Sequence, residues 1–89
     1  FISCTGVTLN KQLTDISLNE VDTKLAMMRK SEKTYLLADH TKFEINGPFY
    51  LSGFDAVDYI ITDKYDYTPQ TAETVRMITK KYGIRIITD

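Results

Sequence analysis

The apolar positions of the chain change their spacing several times, and each spacing predicts a different element. Short, mostly apolar runs typical of parallel strands covered on both faces occur at residues 1–4, 33–38, 57–62 and 84–88, the last ending at Asp89. Residues 5–15 are polar around Gly6, which predicts a loop at a strand end. Residues 43–54 are rich in turn formers, with one short extended piece predicted at residues 49–51.

Two segments have the 3.6-residue apolar period of a helix. Ser17-Leu18-Asn19-Glu20 matches a capping box, in which Ser17 accepts from the Glu20 amide and the Glu20 carboxylate reaches back, so the first helix is predicted from here to residues 30–31. Thr68-Pro69 predicts the start of a second helix, and Gly83 its end. The stripes expected to face the core are Leu18, Val21, Leu25 and Met28 on the first helix, and Ala72, Val75, Ile78 and Tyr82 on the second.

The order strand, helix, strand, strand, helix, strand indicates the α/β class, with a mainly parallel sheet and flanking helices. Open parallel sheets bind ligands beyond the carboxyl ends of their strands. Thr5 with Gly6, Asp39 to Lys42, and Asp63 fall at such ends. Lys42 offers a cation to an anionic group such as phosphate, and Asp39 can accept hydrogen bonds from sugar hydroxyls. Taken alone, both residues are better explained as solvated loop residues.

A second cluster of charged residues consists of Asp15, Glu20 and Lys24. Glu20 and Lys24 lie four residues apart on one flank of the first predicted helix, in the favourable order for an ion pair. A surface pair of this kind, worth about 0.3 to 0.5 kcal/mol, is the simpler interpretation of the spacing alone.

Composition narrows the possible functions. The 89 residues carry 11 basic and 12 acidic side chains, a balance that argues against a nucleic-acid-binding surface in this one domain or part of a domain. With one cysteine, one histidine and isolated glycines, no metal site, cofactor or glycine-rich phosphate loop is expected. A Cys4 nucleophile with His40 as its base is disfavoured because Cys4 lies in an apolar strand. No apolar run approaches the ~18 residues of a membrane span, and the lone cysteine suits the reducing cytoplasm.

Several blocks of the sequence resemble, in order and spacing, the C-terminal sensor domain of DeoR-type bacterial transcriptional regulators. The most specific are residues 15–27 and Ala38-Asp39-His40-Thr41-Lys42-Phe43, and the resemblance extends over nearly the whole chain. It implies a Rossmann-like domain related to ribose-5-phosphate isomerase and the CoA transferases. Such a domain binds a phosphorylated sugar without transforming it and belongs to a regulator, expected to be a repressor of a sugar-metabolism operon.

The residues and the resemblance together predict an effector site. Its expected members are Thr5, Gly6, Asp15, Glu20, Lys24, Asp39 and Lys42. The chain departs from the family pattern at Gln12 and Glu44, where glycine is usual, and at His40-Thr41, where a serine pair is usual. These departures bear on which sugar is recognised.

The chain opens on an apolar strand without an initiator methionine, so residues 1–89 are expected to be the C-terminal part of one effector-sensing domain. A winged helix-turn-helix, through which alone DNA would be contacted, and the first half of the sensor would then lie outside this chain. Apolar surface that the other half covers would be exposed, so homo-oligomers are expected.

The main alternative is a fragment of a sugar-phosphate isomerase in which a carboxylate such as Glu20 moves a proton between adjacent carbons. Such isomerases carry a lysine and a glycine-rich loop ahead of the catalytic helix. Here that stretch reads Leu13-Thr14-Asp15-Ile16-Ser17, so an enzyme is not expected. A purely structural interaction module is a third possibility.

Overall fold

The computed structural model describes residues 1–88, which form seven strands and two α-helices. In chain order these are β1 (Ile2–Ser3), β2 (Gly6–Thr8), β3 (Gln12–Asp15), α1 (Leu18–Lys30), β4 (Tyr35–Leu37), β5 (Phe49–Ser52), β6 (Tyr59–Thr62), α2 (Pro69–Tyr82) and β7 (Arg85–Thr88). Short 3-10 turns lie at His40–Lys42 and Phe54–Ala56. Asp89, the expected end of the last strand, lies outside the described residues.

A wholly parallel sheet organises the fold and has the strand order β1-β4-β6-β7. One row of its register joins Ile2, Leu36, Ile60 and Ile86 across the four strands. Ile2, Leu36 and Ile60 are buried in the core together with Val21 of α1 and Ile78 of α2. The α/β class and the parallel sheet are therefore confirmed, with strands where the apolar runs predicted them.

Both helices cover the same face of this sheet. The strand order advances in one direction along the chain, and parallel crossovers are right-handed, so α1 and α2 are placed on one side. On the other side Leu37 and Ile87 are 41% and 42% exposed. The expectation that both faces are covered is therefore wrong for residues 1–88. This bare face carries Phe1, Tyr35, Leu37, Tyr59, Ile61 and Ile87.

The polar segment before α1 is not the loop that the sequence predicts. Within residues 5–15, β2 and β3 form an antiparallel hairpin, and β5 adds a third strand to give a separate sheet with the order β2-β3-β5. The sequence did not predict β2 and β3 because each is only three or four residues long. In addition, the apolar residues of both strands alternate with threonines that are themselves buried. The Thr14 hydroxyl, for example, accepts a hydrogen bond from the Gly47 amide at 2.7 Å inside the fold.

The helix boundaries agree with the predicted caps, but the buried faces differ from prediction at two positions. Ser17 accepts from the Glu20 amide at 3.2 Å, and Gly83 ends α2 in the left-handed conformation. Leu18 is 59% exposed because it lies in the first turn, ahead of the part of α1 that reaches the core. Ala72 is exposed because α2 buries Thr71 and Thr74 instead.

The threonine face of α2 is tolerated because the buried hydroxyl of Thr74 has a partner. It donates to a carboxylate oxygen of Glu44 at 2.6 Å. A buried hydroxyl that is hydrogen-bonded escapes most of the cost of leaving water. An apolar-stripe rule cannot detect such a position.

Candidate functional site

The carboxyl ends of β1, β4 and β6 lie side by side, because the three strands are parallel and adjacent. A cavity of about 410 Å³ opens at this edge, and Asp39, Lys42 and Asp63 contribute its charged groups. Leu37 and Ile61 of the bare face form part of its wall. We call this cavity the Lys42 crevice.

Lys42 is the cation of the crevice that has no charged partner. It is half-buried, and among residues 1–88 no carboxylate lies within ion-pair distance of its Nζ. The turn that presents it is capped by Asp39, whose carboxylate accepts from the Thr41 amide at 2.9 Å and from the Thr41 hydroxyl. These hydrogen bonds lower the pKa of Asp39, so its carboxylate stays ionised beside Lys42.

Asp15, Lys24 and Thr5 form a second, buried cluster behind the end of β1. Asp15 is 2% exposed, and its Oδ2 lies 2.6 Å from Lys24 Nζ. Its Oδ1 accepts from the Ile16 amide at 2.9 Å and from the Thr5 hydroxyl at 3.2 Å. The side chain of Lys24 is only 12% exposed, so this ion pair is not the exposed surface pair considered from spacing. We call Thr5, Asp15 and Lys24 the buried cluster.

Glu20 lies at the margin of the buried cluster. Its side chain is about half exposed, and its carboxylate is 3.6 Å from Lys24 Nζ. No hydrogen bond joins that carboxylate to the Ser17 amide within the described chain, so only the Ser17 half of the capping box forms. Glu20 can therefore still turn toward a ligand.

Cys4 lies between the two groups of charges. Burial, reinforced by the negative charge of Asp15, raises the pKa of its thiol to about 12, although Lys24 and Lys42 act in the opposite direction. A thiol that remains protonated is a poor nucleophile. The Lys42 crevice and the buried cluster are neighbours on either side of Cys4, since Ser3 lines the crevice and the Thr5 hydroxyl donates to Asp15.

Gly6 has a packing role in the hairpin. A Cβ atom at this position would lie 1.8 Å from the Ile45 carbonyl oxygen, a distance that no side chain permits. Gly6 therefore allows β2 to approach the segment after the 3-10 turn at Lys42. Its contact with an effector stays a prediction.

His40 pairs with Asp63, a contact that the sequence did not predict. The His40 amide donates to Asp63 Oδ1 at 2.8 Å, and His40 Nδ1 lies 2.5 Å from Asp63 Oδ2. The imidazole also stacks on the Tyr65 ring, with centroids 3.7 Å apart. The hydrogen bond from His40 lowers the pKa of Asp63. Two features of the sequence could have indicated this pair. Asp63 directly follows a strand, and His40 stands where the related regulators usually have serine.

Two kinds of feature were sought in the part of the chain that the structure describes. Residues 1–88 contain no group of three or more histidine, cysteine or acidic side chains arranged to hold a metal ion. None of their helices combines the length and apolarity that a membrane span requires.

Residues 1–64 match the protein family described as the DeoR C terminal sensor domain. The match contains the Lys42 crevice, the buried cluster and Asp63. Helix α2 and strand β7 lie beyond it, so the match is shorter than the nearly complete resemblance expected from the sequence.

Known transcriptional regulators are similar to the same part of the chain. The chain is 38% identical over 64 residues to the HTH-type transcriptional regulator IolR of Bacillus subtilis strain 168, covering 72% of this chain and 26% of the relative. It is 32% identical over 63 residues to a putative sgc region transcriptional regulator of Escherichia coli K12, covering 71% and 24%. For the HTH-type transcriptional regulator GolR of Listeria innocua the identity is 30% over 63 residues, covering 71% and 25%.

The matched segment thus spans about a quarter of the length of these relatives. All three are named as regulators of transcription, and the family model describes a sensor domain. By the match of residues 1–64, the chain belongs to the DeoR C-terminal sensor domain family.

Proposed function

We propose that the effector sensed by this domain is a phosphorylated sugar, and that it binds in the Lys42 crevice. The observation that carries the proposal is Lys42 itself, a half-buried cation that no carboxylate of residues 1–88 neutralises, at the carboxyl ends of adjacent parallel strands. This edge is where open α/β sheets bind ligands. A lysine ammonium forms charge-assisted hydrogen bonds with phosphate oxygens.

The carboxylates of Asp39 and Asp63 make the crevice selective. The two negative charges weaken the binding of any phosphate that Lys42 alone would hold. The Asp39 oxygen that Thr41 does not occupy can accept a hydrogen bond from a sugar hydroxyl, which offsets this cost for a sugar phosphate. A ligand that carries both groups satisfies both kinds of side chain. The crevice therefore suits a sugar phosphate better than either of its parts.

The buried cluster is proposed to order the floor of the site. The Asp15 carboxylate already accepts from Thr5, Ile16 and Lys24, which leaves it little capacity for a ligand. The proposed role of the Asp15 carboxylate is to hold Lys24 and the segment after β1 in place. Glu20, which lies exposed at the margin of the buried cluster beside Lys24, is proposed to reach a sugar hydroxyl.

Isothermal titration calorimetry of the chain tests the proposed function. The ligands are ribose 5-phosphate, glucose 6-phosphate and fructose 1-phosphate, with the unphosphorylated sugars and inorganic phosphate as controls. At least one sugar phosphate should bind about tenfold or more tightly than both of its parts, a difference of about 1.4 kcal/mol. Equal binding of inorganic phosphate and every sugar phosphate, or no binding at all, would contradict the proposal.

For the longer protein, we propose a cytoplasmic repressor of a sugar-metabolism operon. In this arrangement residues 1–89 are the C-terminal part of the sensor, and DNA is contacted through an N-terminal winged helix-turn-helix. The relatives support the regulatory role, since all three are named as transcriptional regulators and two as HTH-type.

Self-association through the bare face is also proposed. Parallel sheets are normally covered on both faces, and here the aromatic rings of Phe1, Tyr35 and Tyr59 stack along the uncovered one. Basic Lys33 and Arg85 flank its amino end, and acidic Asp39 and Asp63 its carboxyl end. Two copies packed with opposite strand directions would bring these opposite charges together.

Sedimentation velocity over a wide concentration range measures this association. The chain is expected to sediment as a dimer. Leu37→Lys, which places a charge in the middle of the bare face, should shift it to monomer. Leu9→Lys changes a leucine of similar exposure in the hairpin loop and is the matched control. A wild-type chain that remains a monomer at every concentration would contradict the proposed interface.

A further inference from the structure

A second cavity, of about 350 Å³, lies between the 3-10 turn at His40–Lys42 and the first turn of α2. It is at the same edge of the parallel sheet as the Lys42 crevice, because its walls follow the ends of β4 and β6. The side chains in its wall include His40, Phe43, Glu44, Tyr65 and Tyr67. None of them was among the predicted effector-binding residues.

The imidazole of His40 is held in one orientation at the wall of this cavity. Asp63 accepts at both of its oxygens, from the amide and from Nδ1 of His40, and Tyr65 stacks on the ring face. With Nδ1 committed to Asp63, Nε2 is the ring nitrogen left for a ligand. Nε2 accepts a hydrogen bond from a hydroxyl when the imidazole is neutral with its proton on Nδ1, and donates one when the ring is protonated at both nitrogens.

Tyr67 supplies an independent indication of a ligand. Its hydroxyl is buried and has no hydrogen-bond partner within residues 1–88. Buried hydroxyls are normally paired, and an unpaired one is unfavourable. The Tyr67 ring lines this cavity and packs edge-on against Phe43, with centroids 5.9 Å apart.

The charges around this cavity select against an anion. Glu44 lies in its wall and accepts a hydrogen bond from Thr74, and Asp63 stands behind His40. Aromatic faces with a few fixed polar groups suit a neutral ligand that has both apolar surface and hydroxyls. A sugar ring or polyol chain has this chemistry, and inorganic phosphate does not.

We infer that this cavity is the subsite for the hydroxylated, uncharged part of the effector, with His40 Nε2 hydrogen-bonded to one hydroxyl and the Tyr67 hydroxyl pairing with another. The inference rests on the proposed function and extends it. On one side of the 3-10 turn Lys42 takes the phosphate and Asp39 a hydroxyl near it, and on the other side the cavity takes the rest of the hydroxylated part of the sugar. His40 and Tyr67 then determine which sugar is bound.

Two conservative variants test the subsite. Tyr67→Phe removes only the hydroxyl and keeps the ring. His40→Asn keeps a side-chain amide that can donate to Asp63 but removes Nε2. Each should weaken the tightest-binding sugar phosphate about 3- to 10-fold, the usual effect of one hydrogen bond, and leave inorganic phosphate within about twofold of wild type. Tyr50→Phe, at an exposed tyrosine of β5, is the matched control and should change neither.

A spectroscopic readout locates the effect. In long-range nitrogen-15 spectra of the imidazole, the Nε2 resonance of His40 should shift on addition of glucose 6-phosphate, ribose 5-phosphate or fructose 1-phosphate, and inorganic phosphate should leave it in place. If the wild-type chain binds a sugar phosphate through Lys42 but Tyr67→Phe and His40→Asn bind it equally well, the subsite is wrong and the proposed function stands. If the wild-type chain binds no sugar phosphate, both are wrong.

Discussion

Replacing Lys42 with methionine is expected to lower the affinity for the bound sugar phosphate by about 10- to 100-fold, because a charge-assisted hydrogen bond contributes about 1.5 to 3 kcal/mol. Methionine keeps most of the length of the side chain and removes the ammonium group. No carboxylate of residues 1–88 depends on Lys42 for an ion pair, so the free energy of unfolding should change little. Calorimetry and thermal unfolding of the same samples measure both quantities.

Lys64→Met is the matched control for this substitution. Lys64 is exposed and directly follows Asp63, so its loss changes the net charge equally and close to the crevice. It should lower the affinity by about twofold at most, since exposed charges are strongly screened. An equal loss in both variants would mean that the ligand senses only the general charge of the surface, and that Lys42 is not a specific contact.

Replacing Asp15 with alanine is expected to lower the free energy of unfolding by about 3 kcal/mol, because the largely buried Lys24 then keeps only the more distant, half-exposed carboxylate of Glu20 as a partner. It also removes the acceptor of the Thr5 hydroxyl and the Ile16 amide. A loss of this size is a large part of the stability of a small domain. Urea unfolding followed by circular dichroism measures it.

A double-mutant cycle identifies the cause of the loss. Lys24→Met alone should also destabilise the chain, but adding it to Asp15→Ala should cost much less than the sum of the two, with a coupling of at least about 1 kcal/mol. Asp22→Ala, at an exposed acidic residue of the same helix, is the control and should change stability by less than about 0.5 kcal/mol. Strict additivity would show that Asp15 and Lys24 are not energetically paired.

Much of the fold could be predicted because its signals are local. Ser17 and Gly83 mark helix ends through hydrogen bonds and backbone angles that involve only nearby residues. The parallel strands are apolar runs. The hairpin β2–β3 was missed because its strands are short and its buried threonines are satisfied by groups distant in sequence, as Thr14 is by the Gly47 amide.

Of the candidate site, the sequence could predict only which residues the topology of the sheet brings to the same edge. Strand ends of a parallel sheet meet at one edge, so Thr5, Asp39 and Lys42 were expected near one another. The structure places Asp39 and Lys42 in one crevice at this edge, and Thr5 in the buried cluster behind the end of β1. The partners of individual side chains were not predictable. His40 bonds to Asp63 across 23 residues, and the burial of the Asp15–Lys24 pair depends on how β3 and α1 pack.

The measurement that tests the central claim most directly is a nitrogen-15 amide titration of the chain with the sugar phosphates used for calorimetry. Binding in the Lys42 crevice predicts saturable shifts at residues 39–43 and at Thr5 and Asp63, with smaller shifts at residues 15–24 and none at the distant end of α1. Inorganic phosphate should produce weaker shifts confined to the turn at Lys42. Saturable shifts that bypass residues 39–43, or none at millimolar concentrations of every sugar phosphate, would contradict the account.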